Sequence, residues 1–319
     1  MNIPWQKITS FGQKTMLDTD LFNISWIMGR FCNYKCSYCW PYARTDQLDY
    51  QTLDTYKHTV DEIKRQARAN NFTKFHWSFS GGEPTAFKDL LHLISYLEDN
   101  TAYQSIHMTT NLSPGTKWWV SWLNSTCKLQ RRSLTASYHT EFANEQEFGD
   151  KILLLGSHGV FVTVNQVMVP ELFWTTYERC LRFAARGINV TLKPQSDPTA
   201  SFIVEGYTDD MIEKMQTGFL QHVQGDELQQ IALSDGTNNY YLDQAERFNA
   251  FGFNKFHGWS CNAGYQSVII RGNEVKRGYS CHDQPIGTLT EGFTLFNSPK
   301  TCTTPSCVSS ADSKIPKCK

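Results

Sequence analysis

The stretch Gly29–Pro41, GRFCNYKCSYCWP, sets Cys32, Cys36 and Cys39 at the spacing C-x3-C-x2-C. A cubane iron–sulfur cluster takes one thiolate per iron, so three cysteines on so short a segment leave one iron open to a reactive ligand. The plainer readings are a structural zinc ion or packed, inert cysteines. Zinc sites favour paired C-x2-C units completed by a further Cys or His, whereas the next histidine here, His58, falls in a helical stretch. That counts against zinc.

A second motif lies at the end of the next expected strand, in Phe75–Thr85, FHWSFSGGEPT. Gly81 and Gly82 let backbone approach a ligand closely, Glu83 offers an acceptor to a cationic amino group, and Pro84 closes the motif. Taken alone, Gly-Gly-Glu-Pro reads as a turn.

The cysteine spacing, with the aromatic Tyr38 just before the third cysteine, resembles the signature of the radical S-adenosylmethionine enzymes. The resemblance implies a [4Fe-4S] cluster on Cys32, Cys36 and Cys39. Its open iron would bind the amino and carboxylate groups of S-adenosylmethionine, and reductive cleavage would give a 5′-deoxyadenosyl radical. It further implies that Tyr38 lies near the adenine and that Gly81–Pro84 form the methionine-binding loop.

From Asn23 to Pro194 the chain alternates strand-like and helix-like segments, which calls for a parallel sheet wrapped by helices. Strands are expected over residues 23–28, 74–80, 105–110, 133–138, 161–168 and 189–193, with helices over 53–69, 86–99, 115–123, 144–158 and 173–186. A doubly wound open sheet fits this alternation too. The family resemblance selects an α/β fold with a partial (β/α)6 TIM-like barrel, whose reactive groups sit at the C-terminal ends of the strands. Asn111 and Ser137, at the ends of the third and fourth strands, are then the expected contacts to the ribose and carboxylate of the cofactor. Val167 is expected against adenine. Thr110, His139 and Lys193 stand at the same mouth.

The 319 residues carry a net charge of −1, which gives no basic footprint for nucleic acid. No apolar run reaches the ~20 residues of a membrane span, and MNIPWQKITSFGQK lacks the apolar stretch of a signal peptide. The expectation is a cytoplasmic protein without membrane contact, in which ten cysteines point to metal or redox chemistry rather than disulfides. Cys127 and Cys180 are expected to pack, as are Trp118, Trp119 and Trp122.

Residues 196–258 lose the rhythm of the barrel and are expected to bridge two domains, residues 1–195 and 259–319. Their one clear helix, over 208–222, spaces Met211, Ile212, Met215 and Phe219 along a face. Five cysteines, Cys261, Cys281, Cys302, Cys307 and Cys318, then crowd the last 59 residues. A segment with so little core needs a staple. A hairpin of residues 265–270 and 274–279 would bring Cys261 and Cys281 together. This tail, a small α+β unit containing that hairpin, resembles the twitch or SPASM extensions of certain radical enzymes. Five cysteines suffice for one auxiliary [4Fe-4S] cluster, held by Cys261 and Cys281, then Cys302 and Cys307, with Cys318 as alternative ligand or free. Structural zinc is the competing reading.

The function expected by analogy is hydrogen abstraction from a peptide or protein side chain, giving a crosslink, thioether or oxidation. A nucleoside, nucleotide or other small metabolite is the alternative substrate, and a two-cluster electron carrier the non-enzymatic one. Expected partners are the substrate, a one-electron reductant of flavodoxin or ferredoxin type and, because only about twenty residues precede the first barrel strand, a separate peptide-recognition protein.

Overall fold

The computed structural model describes residues 3–98, 103–198, 202–217, 230–242 and 252–319. Six strands carry the architecture: β2 (Leu21–Ile27), β3 (Lys74–Ser80), β4 (Gln104–Thr110), β5 (Arg131–Ser137), β6 (Phe161–Met168) and β7 (Asn189–Pro194). Each pairs parallel with the next in chain order. The crossovers hold α2 (Leu53–Ala69), α3 (Leu90–Leu97), α4 (Thr116–Ser125), α5 (Glu145–Ser157) and α6 (Phe173–Ala185). The result is an α/β fold with an open parallel sheet, a partial barrel.

These elements sit where the sequence places them, with local reasons at their ends. Thr52 caps α2 by accepting from the Thr55 amide, and Asn144 caps α5 by accepting from the Glu147 amide. Helix α3 starts four residues later than expected. Glu83 first caps a 3-10 turn, Pro84–Ala86, and the chain then extends at Phe87, whose ring packs on Tyr50 and Tyr56. Residue 99, its expected end, lies outside the described residues.

Within each barrel strand apolar and polar residues alternate, as in LFNISWI, KFHWSFS and FVTVNQVM. One set, including Phe22, Trp26, Trp77, Met108, Leu134, Val164 and Leu192, is buried in a single core with the helices. Buried parallel strands more often read as continuous apolar runs. Here the face turned away from the helices is polar. Its tiers follow from the register: Ser25, Ser78, His107 and Ser133 in one row, Thr109, Thr135 and Thr163 in the next, and Ser137, Asn165 and Thr191 above.

The N-terminal strand β1 (Ser10–Gln13), followed by α1 (Lys14–Asp18), belongs to a second sheet. Strands β8 (Ile231–Ser234), β9 (Asn239–Leu242), β10 (Ser260–Cys261), β15 (Lys300–Thr301) and β16 (Lys317–Cys318) complete it in the order β15-β10-β16-β1-β8-β9. The C-terminal hairpin, β11 (Ser267–Arg271) and β12 (Glu274–Lys276), instead joins the barrel sheet. There β11 runs parallel to β2, and β13 (Gly287–Thr288) and β14 (Gly292–Phe293) extend the edge. Strand pairs therefore run across both expected divisions, at 195 and at 258. Helix α7 (Asp209–Thr217) lies within the expected 208–222, with Met211 and Met215 against the core and Ile212 exposed; Phe219 and His222 lie outside the described residues.

Trp119 and Trp122 are fully buried, with Trp118 packed against them, and Cys180 is buried in α6. Cys127 departs from expectation. It is exposed, because α4 has ended by Thr126 and the chain turns there.

Candidate functional site

The cysteine loop leaves β2 and runs over the Gly-Gly-Glu turn that leaves β3. The Gly82 amide donates to the Gly29 carbonyl at 2.9 Å and the Glu83 amide to the Phe31 carbonyl at 2.8 Å. A Cβ on Gly81, whose φ is +132°, would collide with the Gly29 carbonyl, and one on Gly82 with the Phe31 carbonyl. The two glycines thus permit backbone approach, and what approaches in this structure is the start of the cysteine loop. Asp49 secures the same segment, accepting from the Arg30 and Phe31 amides, and the Tyr50 hydroxyl donates to the Glu83 carbonyl at 2.8 Å.

The Glu83 carboxylate is 1% exposed. It accepts from the Thr110 hydroxyl at 2.7 Å, the Asn111 amide at 2.6 Å, and both the hydroxyl and amide of Thr85. Burial pushes its pKa up, and those four donors oppose the shift. The side chain therefore ties the β3 and β4 ends together, while Pro84 is buried beneath it. Asn111 reaches back: its Nδ2 donates to Asn33 Oδ1 at 2.9 Å and lies 4.0 Å from Cys32 Sγ.

A third loop, after β5, grips the other side of the cysteines. His139 Nδ1 lies 2.7 Å from the Tyr38 hydroxyl and 3.2 Å from Cys36 Sγ. Burial pulls the imidazole down to about 4, so it is neutral near pH 7. Glu141 accepts from the Ser37 amide and hydroxyl, and Tyr34 stacks on Phe142 at 4.8 Å. Glu141 and Phe142 gave no sequence signal; their position four to five residues past a strand end is the one clue that could have singled them out. Ser137 and Val167 lie half-buried on the polar face near this rim. Val167 is in register with Lys193.

The structure brings Cys32, Cys36 and Cys39 onto one loop, half-buried to exposed. Burial raises all three thiols, Cys36 to about 12, and the neighbouring thiols add to its shift. A thiolate in such a place calls for a compensating cation, which a metal supplies. Among the described residues no three His, Cys, Asp or Glu side chains converge tightly enough to hold one metal ion. A cubane makes a different demand, one thiolate per iron, and the donor set fits it.

The second group of cysteines is assembled in a separate core. Cys261, Cys302 and Cys307 are buried with Phe11, Ile231, Phe256, Trp259 and Ile315, drawn from both ends of the chain. Burial raises Cys281 to about 12 and Cys307 to about 11. Cys261 lies within electrostatic reach of Cys281, Cys302 and Cys307. Gly278 admits the sulfur of Cys281, which lies 2.9 Å from where a Cβ would stand. Two cations border the group. Buried Arg277 pairs with Asp283 at 2.9 Å, and buried Lys317 donates to the Asp312 and Ile315 carbonyls. Cys318 stands apart: in the register Cys261 faces Lys317 and Cys318 faces Ser260, so adjacent Cys318 points to the opposite side of the sheet and is exposed.

Residues 26–123 match the model of the Radical SAM superfamily, so that domain spans the cysteine loop, the Gly-Gly-Glu turn and the β4 end. Two curated relatives match part of the chain. A GTP 3′,8-cyclase of Pectobacterium atrosepticum is 33% identical over 86 residues, 25% of this chain and 24% of the relative. An S-adenosylmethionine-dependent nucleotide dehydratase of Selenomonas ruminantium is 32% identical over 68 residues, 21% and 22% of the two chains. The match thus spans about a quarter of those relatives. Among solved structures, native anSMEcpe with bound AdoMet superposes with a TM-score of 0.53 at 13% identity, covering 86% of this chain and 79% of that one. Its complex with AdoMet and the Kp18Cys peptide gives the same TM-score at 14% identity, over 86% and 78%. These likenesses concern the fold. Among the described residues no helix is long and apolar enough to cross a membrane.

Proposed function

We propose that the chain is an enzyme that binds a [4Fe-4S] cluster through Cys32, Cys36 and Cys39 and uses it to cleave S-adenosylmethionine reductively. When bound, the cluster would supply one electron to the sulfonium, the chemistry that makes a 5′-deoxyadenosyl radical available to take a hydrogen atom from a substrate. The observation that carries this reading is the convergence of three strand-end loops on one cysteine segment. The β3 turn passes beneath it, Glu83 links that turn to Asn111, and His139 and Glu141 clasp its far side.

The residues divide the remaining work. Gly81 and Gly82 set the height of the cysteine loop over the mouth. Glu83, with every oxygen engaged by protein donors, acts by holding Thr110 and Asn111 in place. The Glu83 carbonyl is engaged too, by the Tyr50 hydroxyl and the Ala86 amide, so the Gly82 carbonyl is the acceptor of the motif left for the cofactor's amino group. Asn111, Ser137, Val167 and Tyr38 line the route to the ribose, carboxylate and adenine positions. Such a site lends orientation and exclusion of water while the cofactor carries the difficult step.

Cys261, Cys281, Cys302 and Cys307 would hold one auxiliary [4Fe-4S] cluster, fully ligated, with Cys318 free. Full ligation suits transfer of an electron from the substrate radical to an outside acceptor, in a cytoplasmic enzyme served by a flavodoxin or ferredoxin. Of the two substrate classes the sequence leaves open, a peptide side chain and a small metabolite, the polar face of the barrel favours the second. A separate peptide-recognition partner is then not required. The test is substitution of Cys36 by Ala in anaerobically reconstituted protein. Loss of 5′-deoxyadenosine formation is expected, and retained formation would reject the assignment.

A further inference from the structure

On the concave face of the barrel some polar side chains are paired with one another and others are not. The two histidines satisfy their neighbours. His76 Nδ1 pairs with the Ser105 hydroxyl at 2.8 Å, His107 Nδ1 with Ser133 at 2.9 Å, and His107 Nε2 with Thr135 at 3.2 Å. Burial and the nearby charges of Arg131 and Lys314 pull both imidazoles down, to about 3 and about 4, so the pairs are neutral. Such networks are rigid when every member is satisfied.

Other side chains on the same face have the same chemistry and no such pairing. Among the described residues, the side chains of Ser25, Ser78, Thr109, Thr163, Asn165 and Thr191 carry no hydrogen bond to protein. All six are half-buried; in the register Ser25 pairs with Ser78 and Asn165 with Thr191, while Thr109 and Thr163 flank Thr135. Barrel interiors are ordinarily filled by branched apolar side chains; here none of the six polar groups is sealed from water without a partner. A face with so many accessible hydroxyls unpaired by protein suits a ligand that both donates and accepts at several points. Strands β2–β7 contain no Asp or Glu, so these strands offer no counter-ion to a cationic group. Their complement is neutral or anionic.

We infer that the substrate is a compact polyhydroxylated small molecule, a ribonucleoside, ribonucleotide or sugar phosphate, whose ring hydroxyls bond to Thr109, Thr163, Asn165 and Thr191 beneath the cofactor. This assignment rests on the radical reading above and names the substrate class of that site. The peptide side chain is the outcome it excludes. A peptide entering from the mouth presents one side chain to the reacting position, which leaves most of these hydroxyls unmatched.

The experiment uses the reconstituted full chain, with cofactor cleavage by the wild type measured separately so that failure of the radical reading shows by itself. Protein saturated with S-adenosylhomocysteine is ultrafiltered against an equimolar pool of ribonucleosides, ribonucleoside triphosphates, sugar phosphates and defined 18-residue peptides, and the retained compounds are identified by mass spectrometry. Retention of at least one sugar-bearing compound is expected; nucleoside-type and sugar-phosphate hits distinguish the two sources of the same chemistry. The near-isosteric variant Thr109→Val/Thr163→Val/Thr191→Val should weaken that retention about tenfold or more, with circular dichroism showing the fold intact. If the triple variant does not fold, the single Thr191→Val change is read in the same way. Retention of peptides alone, of nothing in the pool, or of a sugar compound equally by wild type and folded variant would overturn the inference.

Discussion

The two groups of cysteines are held in opposite ways. Cys32, Cys36 and Cys39 ride on a strand-end loop, half-buried to exposed, gripped by backbone hydrogen bonds and by side chains from the β3, β4 and β5 ends. Cys261, Cys302 and Cys307 are 3–4% exposed inside an apolar core, and Cys281 enters beside Gly278. An open corner served by mobile chemistry needs a loop that a cofactor can reach. A closed site needs a core that keeps water out. The difference in burial fits the roles proposed for them, cofactor chemistry at the first group and electron storage or relay at the second.

The largest expected effects separate the groups outright. Cys36→Ala should lower the iron content from about eight to about four per chain and reduce 5′-deoxyadenosine formation to background. Cys281→Ala should lower iron by a similar amount while cofactor cleavage survives and product is lost. Equal iron in the Cys281 variant and the wild type would remove that residue as a ligand. Next in size is Gly82→Ala. Its methyl group meets the Phe31 carbonyl, and the overpacking should cost about 1–3 kcal/mol. The readout is a lower melting temperature together with poorer iron loading of the first group only.

Glu83→Gln is a subtler probe of the same platform. A carboxylate accepting four hydrogen bonds becomes an amide whose NH2 faces donors, at an expected cost of about 1–3 kcal/mol. Chemical denaturation of the two proteins checks this. A variant as stable as wild type would show that the carboxylate is not what joins the β3 and β4 ends.

A last effect concerns pH. His76 and His107 are neutral in the fold, at about 3 and about 4, below the usual value near 6.5. Below about 6.5 the unfolded chain binds protons that the folded one refuses, so stability should fall as pH drops from about 6.5 towards 4 and be fully present above. Melting curves at pH 7.5 and 5 should show a smaller decline for His76→Asn/His107→Asn than for wild type.

Most of the barrel was legible because its signals are local. Each strand's apolar and polar residues alternate, each helix has one apolar stripe, and the intervals between them suit crossover connections. The two motifs were legible because the cysteines and the paired glycines are each grouped within a few residues. The second sheet was not. Its strands are two to four residues long, and Ser10 pairs with both Ser234 and Cys318, partners more than two hundred residues away. No local pattern specifies such pairs. Cys127 was misplaced because a cysteine's burial depends on where its helix stops, and the clasp of Glu141 on the cysteine loop is a matter of loop geometry. The polar inner face stood in the sequence throughout, in the serines, threonines and histidines at alternate positions of β3 to β7, and its meaning emerged once the register aligned them into tiers.

The most direct test is to reconstitute the full chain anaerobically with iron and sulfide, reduce it with dithionite, add S-adenosylmethionine and quantify 5′-deoxyadenosine. Formation of 5′-deoxyadenosine that depends on both reductant and Cys36 is the result this account predicts. Iron-loaded, reduced protein that leaves S-adenosylmethionine intact would contradict it.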